Sequence, residues 1–225
     1  MLLRILITAS LRSISLFRSV YSFYILTYSW TDGTLVEMKI GFIGTGGTGK
    51  TTTVNLLTDL TETLNLPYVK STPRGVFQEF GIVETDQAKL SLDMVWKIQR
   101  RMFDLKLEMD RQYPNGIFDR TSIDHLAYCY YRAAGAMPDD VAENMEKSVV
   151  ENMAQYDLVC YFPMLPFDGN DGLRETGYAY RATIDAIMLG LLHKFAIPYH
   201  IVAPGTPEER ASQVRGFIYE KEFPL

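Results

Sequence analysis

The chain has 225 residues, with 22 basic and 27 acidic side chains and a formal net charge of -5. This length suffices for one domain with a sizeable core, and a hydrophobic share of 47% excludes wholesale disorder. The acidic balance argues against a protein that coats nucleic acid, although it leaves room for a local basic site. The two cysteines, Cys129 and Cys160, are too few for a disulfide framework and lack metal-ligand spacing. We expect both to be buried and reduced, as in a cytoplasmic protein.

The first 37 residues differ in composition from the rest of the chain. They are rich in serine, tyrosine and leucine, and they contain three arginines but no acidic residue before Asp32. The arginines interrupt the apolar stretches, so we predict neither a secretory signal nor a membrane span, while an organelle transit peptide has a similar composition. The favoured interpretation is a dispensable extension or a wrongly assigned start at residues 1–37. We therefore expect the domain to cover residues 38–225, without association with a membrane.

Strand-like and helix-like segments alternate after Met38. Short apolar runs are separated by longer segments that carry apolar residues at helical spacings. This alternation predicts parallel strands with a covering helix in each crossover, and thus a doubly wound α/β sandwich that binds its ligand at the carboxyl ends of the strands. The predicted strands are residues 39–43, 67–70, 116–119, 157–162 and 198–203. The predicted helices are residues 50–64, 84–112, 122–134, 139–154, 176–195 and 207–217.

A glycine-rich segment follows the first predicted strand. Residues 44–51 read GTGGTGKT and match the pattern G-x-x-x-x-G-K-[ST] in full. The glycines let successive backbone N–H groups converge on phosphate oxygens, Lys50 reaches the β- and γ-phosphates, and the Thr51 hydroxyl binds Mg²⁺. The pattern therefore predicts a P-loop that binds ATP. The predicted nucleotide-binding residues are Gly44, Thr45, Gly46, Gly47, Thr48, Gly49, Lys50, Thr51 and Thr52.

An aspartate ends the third predicted strand. Asp119 follows an apolar run, where a carboxylate can hold Mg²⁺ together with Thr51 or accept a proton from a substrate hydroxyl. The alternative is that Asp119 caps the next helix. Because Thr121 or Ser122 could cap that helix equally well, the metal role is the favoured interpretation.

Two further polar residues follow this strand. Arg120 could clamp a phosphate or form a salt bridge inside the fold, and the sequence favours neither. His125 could act as a general base, because its unperturbed pKa suits that task. For a lone histidine on a helix, a structural role is the favoured interpretation.

Together these motifs resemble the P-loop kinases of the nucleoside and nucleotide monophosphate kinase group. The resemblance is greatest to the ATPase/kinase family typified by the ribosylnicotinamide-kinase domain, which has many phage-encoded members, and it covers nearly all of residues 38–220. It depends on the P-loop, on Asp119-Arg120-Thr121, on Asp171-Gly172-Leu173-Arg174 with Tyr180-Arg181, and on the turn at residues 203–210. It implies a P-loop NTPase three-layer sandwich with a five-stranded parallel sheet in the order 2-3-1-4-5 and a lid segment.

The resemblance also implies roles for residues outside the P-loop. Residues 163–175 would form a lid over the phosphates, although Glu175 makes it less basic than in strong nucleotide kinases, and Gly205 would contact the nucleotide base. Arg74 would bind a substrate phosphate and Gln99 a base edge, with surface solvation and helix packing as the alternatives. The candidate catalytic residues are Lys50, Asp119, Arg174 and Arg181. The candidate acceptor-binding residues are Arg74, Gln99 and Arg120.

The predicted function is Mg²⁺-dependent transfer of the γ-phosphoryl group of ATP to a nucleoside, a nucleotide or a similar small acceptor. One alternative is a kinase of a hydroxymethylated base in phage DNA, which the negative net charge does not favour. Another is a nucleotide-dependent regulatory ATPase, although the chain lacks the N/T-K-x-D motif of GTPase switches. A binder without chemistry is disfavoured because Lys50, Thr51 and Asp119 are all present. The acceptor and the oligomeric state are not predicted.

Overall fold

The computed structural model describes residues 37–57, 66–70, 73–82, 90–165 and 177–222. The strands in these ranges are β1 (Lys39–Ile43), β2 (Tyr68–Lys70), β3 (Gly116–Asp119), β4 (Leu158–Tyr161) and β5 (His200–Ile201). The helices are α1 (Lys50–Asn55), α2 (Pro73–Glu79), α3 (Leu92–Gln112), α4 (Ser122–Ala133), α5 (Asp139–Met153), α6 (Tyr178–Lys194) and α7 (Pro207–Glu222). Within the same ranges, no helix is both long enough and apolar enough to cross a lipid bilayer.

β1 occupies the centre of a five-stranded sheet with the order β2-β3-β1-β4-β5. Each neighbouring pair is parallel, and Ile40 of β1 lies between Ile117 of β3 and Leu158 of β4. All residues of β1 are buried, as expected for a central strand that is covered on both faces. The predicted P-loop NTPase three-layer sandwich and its strand order are therefore confirmed.

The helices of the described chain form two groups around this sheet. α3 packs along α4, and α4 also contacts α5 and α6, whereas α1 contacts α7. The first group buries the main core, which includes Phe103, Leu126 and Met188. A smaller cluster that contains Val76 and Ile98 joins α2 to α3. The sheet is thus held between helices, and the loops that follow its strands carry the candidate site.

The predicted long helix begins later than its apolar pattern indicates. α3 starts at Leu92 rather than at Glu84, and residues 83–89 lie outside the described part of the chain. Ser91 is extended, and its hydroxyl accepts a hydrogen bond from the backbone N–H of Met94 at 3.3 Å. This N-cap fixes the start of the helix, although apolar residues continue at helical spacing on its other side.

Among the other predicted elements, three differ most in length from the structure. α1 ends at Asn55, and residues 58–65, where the helix was expected to continue, are not described. α7 continues past Phe217 to Glu222. β5 is shorter than the predicted 198–203, because as an edge strand it pairs with β4 alone, over two residues.

Both cysteines lie in the core, as the sequence predicts. Cys129 on α4 and Cys160 on β4 are fully buried, and neither forms a disulfide. Burial raises the pKa of the Cys129 thiol to about 12 and raises that of Cys160 as well. Both thiols are therefore neutral near pH 7 and serve as small apolar core groups.

A buried polar network lies at the start of β1. Lys106 and Asp110 form an ion pair at 2.5 Å, with side chains that are 2% and 0% exposed. The Asp110 carboxylate also accepts hydrogen bonds from Asn152 at 2.9 Å and from Tyr156 at 3.0 Å, and its backbone carbonyl accepts one from Lys39 at 2.7 Å. Burial lowers the pKa of Lys106, and the attraction of Asp110 only partly offsets this effect. The two charges therefore depend on each other inside the fold.

We predict that Lys106→Met lowers the free energy of unfolding by about 3–5 kcal/mol, because the buried Asp110 carboxylate loses its partner charge. Urea denaturation followed by circular dichroism measures this change. As a control, the double variant Lys106→Met/Asp110→Asn should recover most of the loss, because a neutral amide needs no countercharge. A loss below about 1 kcal/mol in the single variant would show that the ion pair is not needed for stability.

Candidate active site

The glycine-rich segment forms a tight loop between β1 and α1. Gly44 and Gly49 have φ values of 151° and 80°, which are unfavourable for residues with side chains. A Cβ atom on Gly44 would lie 2.5 Å from the carbonyl oxygen of Phe162, and one on Gly49 would lie 2.6 Å from the guanidinium group of Arg210. The shape of the loop therefore requires glycine at both positions.

Lys50 is folded against this loop. Its Nζ donates hydrogen bonds to the carbonyl oxygens of Gly44 at 2.6 Å and Thr45 at 2.8 Å, and to the Thr48 hydroxyl at 3.0 Å. The residue is only 5% exposed. The ammonium group is therefore positioned at the loop, where it can exchange these acceptors for the phosphate oxygens of a nucleotide.

Thr51 and Asp119 meet beside the loop, although they come from α1 and β3. The Thr51 hydroxyl donates to Asp119 Oδ2 at 2.9 Å, and the Tyr68 hydroxyl donates to the same oxygen at 2.8 Å. Burial raises the pKa of Asp119, but the charges of Lys50 and Arg120 and these two hydrogen bonds together hold it below its usual range. The carboxylate is thus ionised near pH 7. An ionised carboxylate next to a hydroxyl fits Mg²⁺, which prefers oxygen ligands.

Arg120 has a left-handed backbone conformation directly after β3. Its φ is 79°, which is uncommon outside glycine and persists only where the surroundings hold it. Its guanidinium group lies 3.6 Å from the Asp124 carboxylate and 5.1 Å from the ring centre of Tyr128. The structure thus provides the internal ion pair that the sequence left open. The side chain keeps 21% exposure beside Asp119, and its role toward an acceptor stays a prediction.

Asp124 joins the P-loop to the end of β3. Its Oδ1 accepts a hydrogen bond from the backbone N–H of Gly44 at 3.2 Å, and its Oδ2 accepts one from the backbone N–H of Thr121 at 2.8 Å. Thr121 and Asp124 form a capping box at the start of α4, so Asp119 does not cap this helix. Asp124 is completely buried, and burial raises its pKa. Sequence reasoning missed this link, although the spacing of the capping box was an available signal.

His125 is not suited to act as a general base. Burial, together with the positive charges of Arg120 and Lys106, lowers its pKa to about 3. The residue is only 5% exposed. Its imidazole is therefore neutral at physiological pH and a very weak base, which supports the structural role that the sequence favoured.

Arg181 reaches the P-loop from α6. Its Nε donates to the carbonyl oxygen of Gly46 at 3.1 Å, and its Nη2 donates to that of Leu165 at 2.9 Å. The residue is 4% exposed. The structure thus places one of the two candidate catalytic arginines against the loop. Arg174 lies outside the described residues, and the catalytic role of both arginines stays a prediction.

Sequence reasoning missed three other side chains near the loop. The Tyr68 hydroxyl donates a hydrogen bond to the carboxylate of Asp119, and Arg210 donates one to the carbonyl oxygen of Thr48 at 2.6 Å. Asp185 accepts a hydrogen bond from Tyr161, the last residue of β4, at 2.7 Å. No motif marks Tyr68 or Asp185, whereas Arg210 is the last residue of the 203–210 turn on which the family resemblance depends. That turn was the available signal for Arg210.

The structure describes the residues predicted to bind the acceptor and the nucleotide base in less detail. Gln99 is 7% exposed on α3. Arg74 belongs to α2, but its side chain is outside the described part of the structure. Gly205 lies in the loop before α7, where the backbone N–H of Thr206 donates to Glu209 at 2.8 Å. The roles of Gln99, Arg74 and Gly205 stay predictions.

Solved structures share this fold at low sequence identity. The NadR protein in complex with NR has a TM-score of 0.59 at 15% identity, with 84% of this chain and 52% of that chain covered, so this chain spans about half the length of NadR. Deoxyadenosine kinase from M. mycoides with bound dCTP has a TM-score of 0.59 at 16% identity, covering 81% of this chain and 100% of that chain. Shikimate kinase from Acinetobacter baumannii in complex with shikimate has a TM-score of 0.50 at 12% identity, covering 85% and 98%. These likenesses confirm the resemblance to P-loop nucleoside and nucleotide kinases at the level of the fold.

A family model also matches the sequence. It is described as an AAA domain, and the match runs over residues 39–210, from the start of β1 into α7. No curated protein matches the chain. The matched region is more than half of the chain and contains the P-loop, Asp119 and Arg181. The chain therefore belongs to this AAA domain family.

Proposed function

We propose that the protein is a Mg²⁺-dependent phosphotransferase that moves the γ-phosphoryl group of ATP to a nucleoside, a nucleotide or a related small acceptor. The proposal depends on one observation above all: the hydrogen bond between Thr51 and Asp119 at 2.9 Å, beside the lysine of the P-loop. The similar structures, which include a deoxyadenosine kinase and a shikimate kinase, support transfer to an acceptor. The buried thiols and the use of ATP both suit the cytoplasm.

The P-loop would bind the phosphates of ATP. Its backbone N–H groups provide donors, and Lys50 provides a positive charge that is already held at the loop by Gly44 and Thr45. Because Lys50 is held in place before the nucleotide arrives, little side-chain entropy is lost when phosphate oxygens replace the carbonyl groups. The loop thus orients the nucleotide for transfer.

Thr51 and Asp119 would hold Mg²⁺. When bound, the ion would neutralise charge on the β- and γ-phosphates. The Thr51 hydroxyl donates a hydrogen bond to Asp119, which leaves the lone pairs of the hydroxyl oxygen for the ion. Among the described residues, both hydroxyl groups donate to Oδ2 of Asp119, and Oδ1 is proposed to orient the hydroxyl or phosphate of the acceptor.

Arg181 would stabilise charge on the transferred group. That charge spreads over the equatorial oxygens in the transition state, and guanidinium groups bind such oxygens well. The contact of Arg181 with the Gly46 carbonyl places the side chain at the loop, and Arg174 is proposed as its partner in the lid. Arg74, Gln99 and Arg120 are proposed to bind the acceptor, and Gly205 the nucleotide base.

A screen of acceptors tests the proposed function. The full chain is incubated with labelled ATP, Mg²⁺ and, separately, nucleosides, nucleoside monophosphates, nicotinamide riboside and DNA with hydroxymethylated bases. We expect a phosphorylated small acceptor. Label on the modified DNA alone would instead support the DNA-base kinase, and slow hydrolysis that no acceptor changes would support a regulatory ATPase.

We predict that Lys50→Ala lowers kcat/KM by about 10²–10³, because a positioned positive charge on the phosphates is lost. Steady-state kinetics and calorimetric titration with ATP measure the effect. Lys147→Ala, at an exposed position on α5, is the matched control and should resemble the wild type. An unchanged affinity for ATP in Lys50→Ala would contradict the role of the lysine in the phosphate site.

For Asp119→Asn we expect kcat to fall by at least about 10², with ATP still bound, because the amide keeps the shape of the carboxylate but removes its charge. Kinetics over a range of Mg²⁺ concentrations measure the change. The exposed Asp140→Asn is the matched control. Turnover close to the wild-type value would show that Asp119 has only a structural role at the end of β3.

Arg181→Ala should lower kcat by at least about tenfold, or 1.4 kcal/mol, while the affinity for ATP falls much less. The reason is that the guanidinium group acts mainly on charge that develops in the transition state. Arg181→Lys keeps the charge but not the two-donor geometry, so its kcat should lie between those of the wild type and of Arg181→Ala. Wild-type kcat in the alanine variant would remove α6 from the mechanism.

A further inference from the structure

The last helix places a buried guanidinium group directly behind the P-loop. Arg210 on α7 is 3% exposed, and its Nη1 donates to the carbonyl oxygen of Thr48 at 2.6 Å. The same nitrogen is so close to Gly49 that a Cβ atom there would lie 2.6 Å from it. Arg210 therefore supports the two loop residues that come immediately before Lys50.

The remaining polar atoms of this side chain lack acceptors. Nε and Nη2 of Arg210 are buried and have no hydrogen-bond partner among the described residues. The guanidinium carbon lies 4.9 Å from the ring centre of Phe162, which is a weak partner for a full charge. Burial lowers the pKa of Arg210, and no carboxylate of the described chain offsets this effect. Among the described residues, this buried positive charge therefore has no countercharge, which is costly to maintain.

α7 contacts a second loop of the proposed nucleotide site one turn further on. The side chain of Gln213 accepts a hydrogen bond from the backbone N–H of Ala203 at 2.8 Å and donates one to its carbonyl oxygen at 3.3 Å. Ala203 begins the loop that is proposed to contact the nucleotide base. One rigid helix therefore supports both the phosphate end and the base end of the proposed site.

We infer that Arg210 is a positioning residue of the phosphate site. Its side chain holds the Thr48–Gly49 corner of the P-loop, and its charge is balanced by the phosphates of the bound nucleotide. This inference rests on the proposed function, because it needs a nucleotide in the loop. Arg210 does not touch the phosphates in this arrangement. It acts through the backbone of the loop and through the positive potential it adds beneath the loop.

A purely structural role for Arg210 has different consequences. If the arginine only tied α7 to the loop, its removal would destabilise the ligand-free protein. If its charge is uncompensated until a nucleotide binds, removing the charge should leave the ligand-free protein at least as stable, while the affinity for nucleotide falls. The loss should also increase with the number of phosphates, and thus be larger for ATP than for AMP.

The experiment uses the full chain with Arg210→Gln, which removes the charge, and Arg210→Lys, which keeps it. Arg215→Gln is the matched control, because Arg215 lies on the same helix and donates to a backbone carbonyl, that of Leu56 at 2.5 Å. Calorimetric titration gives Kd for ATP, ADP and AMP, and thermal unfolding gives Tm with and without ATP. We expect Arg210→Gln to weaken ATP binding by about tenfold or more. The lysine variant should recover part of this loss, and Arg215→Gln should match the wild type.

Two results for the Arg210→Gln variant would overturn the inference. One is wild-type affinity for ATP, and the other is a lower ligand-free Tm with an equal loss of affinity for ATP and AMP. The inference is supported if Arg210→Gln has a ligand-free Tm at or above the wild-type value and loses more affinity for ATP than for AMP. These measurements need no acceptor. A wild-type chain that binds ATP but transfers phosphate to nothing would therefore contradict the proposed function while the role of Arg210 is still tested. A wild-type chain that binds no nucleotide would overturn both.

Discussion

The parallel pairing of β1 with a strand on each side is the constraint on which the site depends. β3 and β4 run in the same direction as β1, so the carboxyl ends of all three strands meet at one edge of the sheet. The P-loop leaves β1 at this edge, Asp119 ends β3 there, and Phe162 follows β4 with its carbonyl group against Gly44. If one of these strands ran the other way, its group would lie at the opposite edge. The strand order therefore decides which residues can share the site.

A buried carboxylate then fixes the loop relative to β3. Asp124 bonds the backbone of Gly44 and of Thr121, so the P-loop, the strand end and the start of α4 are held as one unit. The capping of α4 by Thr121 leaves Asp119 free to bond Thr51. The candidate site thus combines a backbone held by hydrogen bonds with the ionised carboxylate of Asp119. Positioning and electrostatic catalysis both require such an arrangement.

The α/β class of the fold could be predicted from the sequence because alternating apolar patterns and the P-loop are local signals, whereas the strand order followed from the family resemblance. Asp119 was found for the same reason, since it directly follows an apolar strand. Tyr68 and Asp185 could not be found in this way, because their contacts with Asp119 and Tyr161 arise through tertiary packing and no spacing marks them. Arg210 lies in the turn at residues 203–210, but only packing shows that its guanidinium group reaches the P-loop. The predicted start of α3 was wrong because the N-cap at Ser91, whose hydroxyl accepts a hydrogen bond from the backbone N–H of Met94, outweighs the apolar pattern that continues before it. Local signals thus predicted the frame of the site, and packing determined the side chains around it.

The burial of both thiols gives the protein two internal reporters of opening. Cys160 lies within β4 opposite Phe42 of the central strand, whereas Cys129 lies in α4. A water-soluble thiol reagent reaches a fully buried sulfur only when the surrounding element opens. Labelling of Cys160 therefore follows opening of the sheet, and labelling of Cys129 follows opening of the helical layer. If a ligand binds and tightens one layer more than the other, the two labelling rates will separate without any change to the sequence.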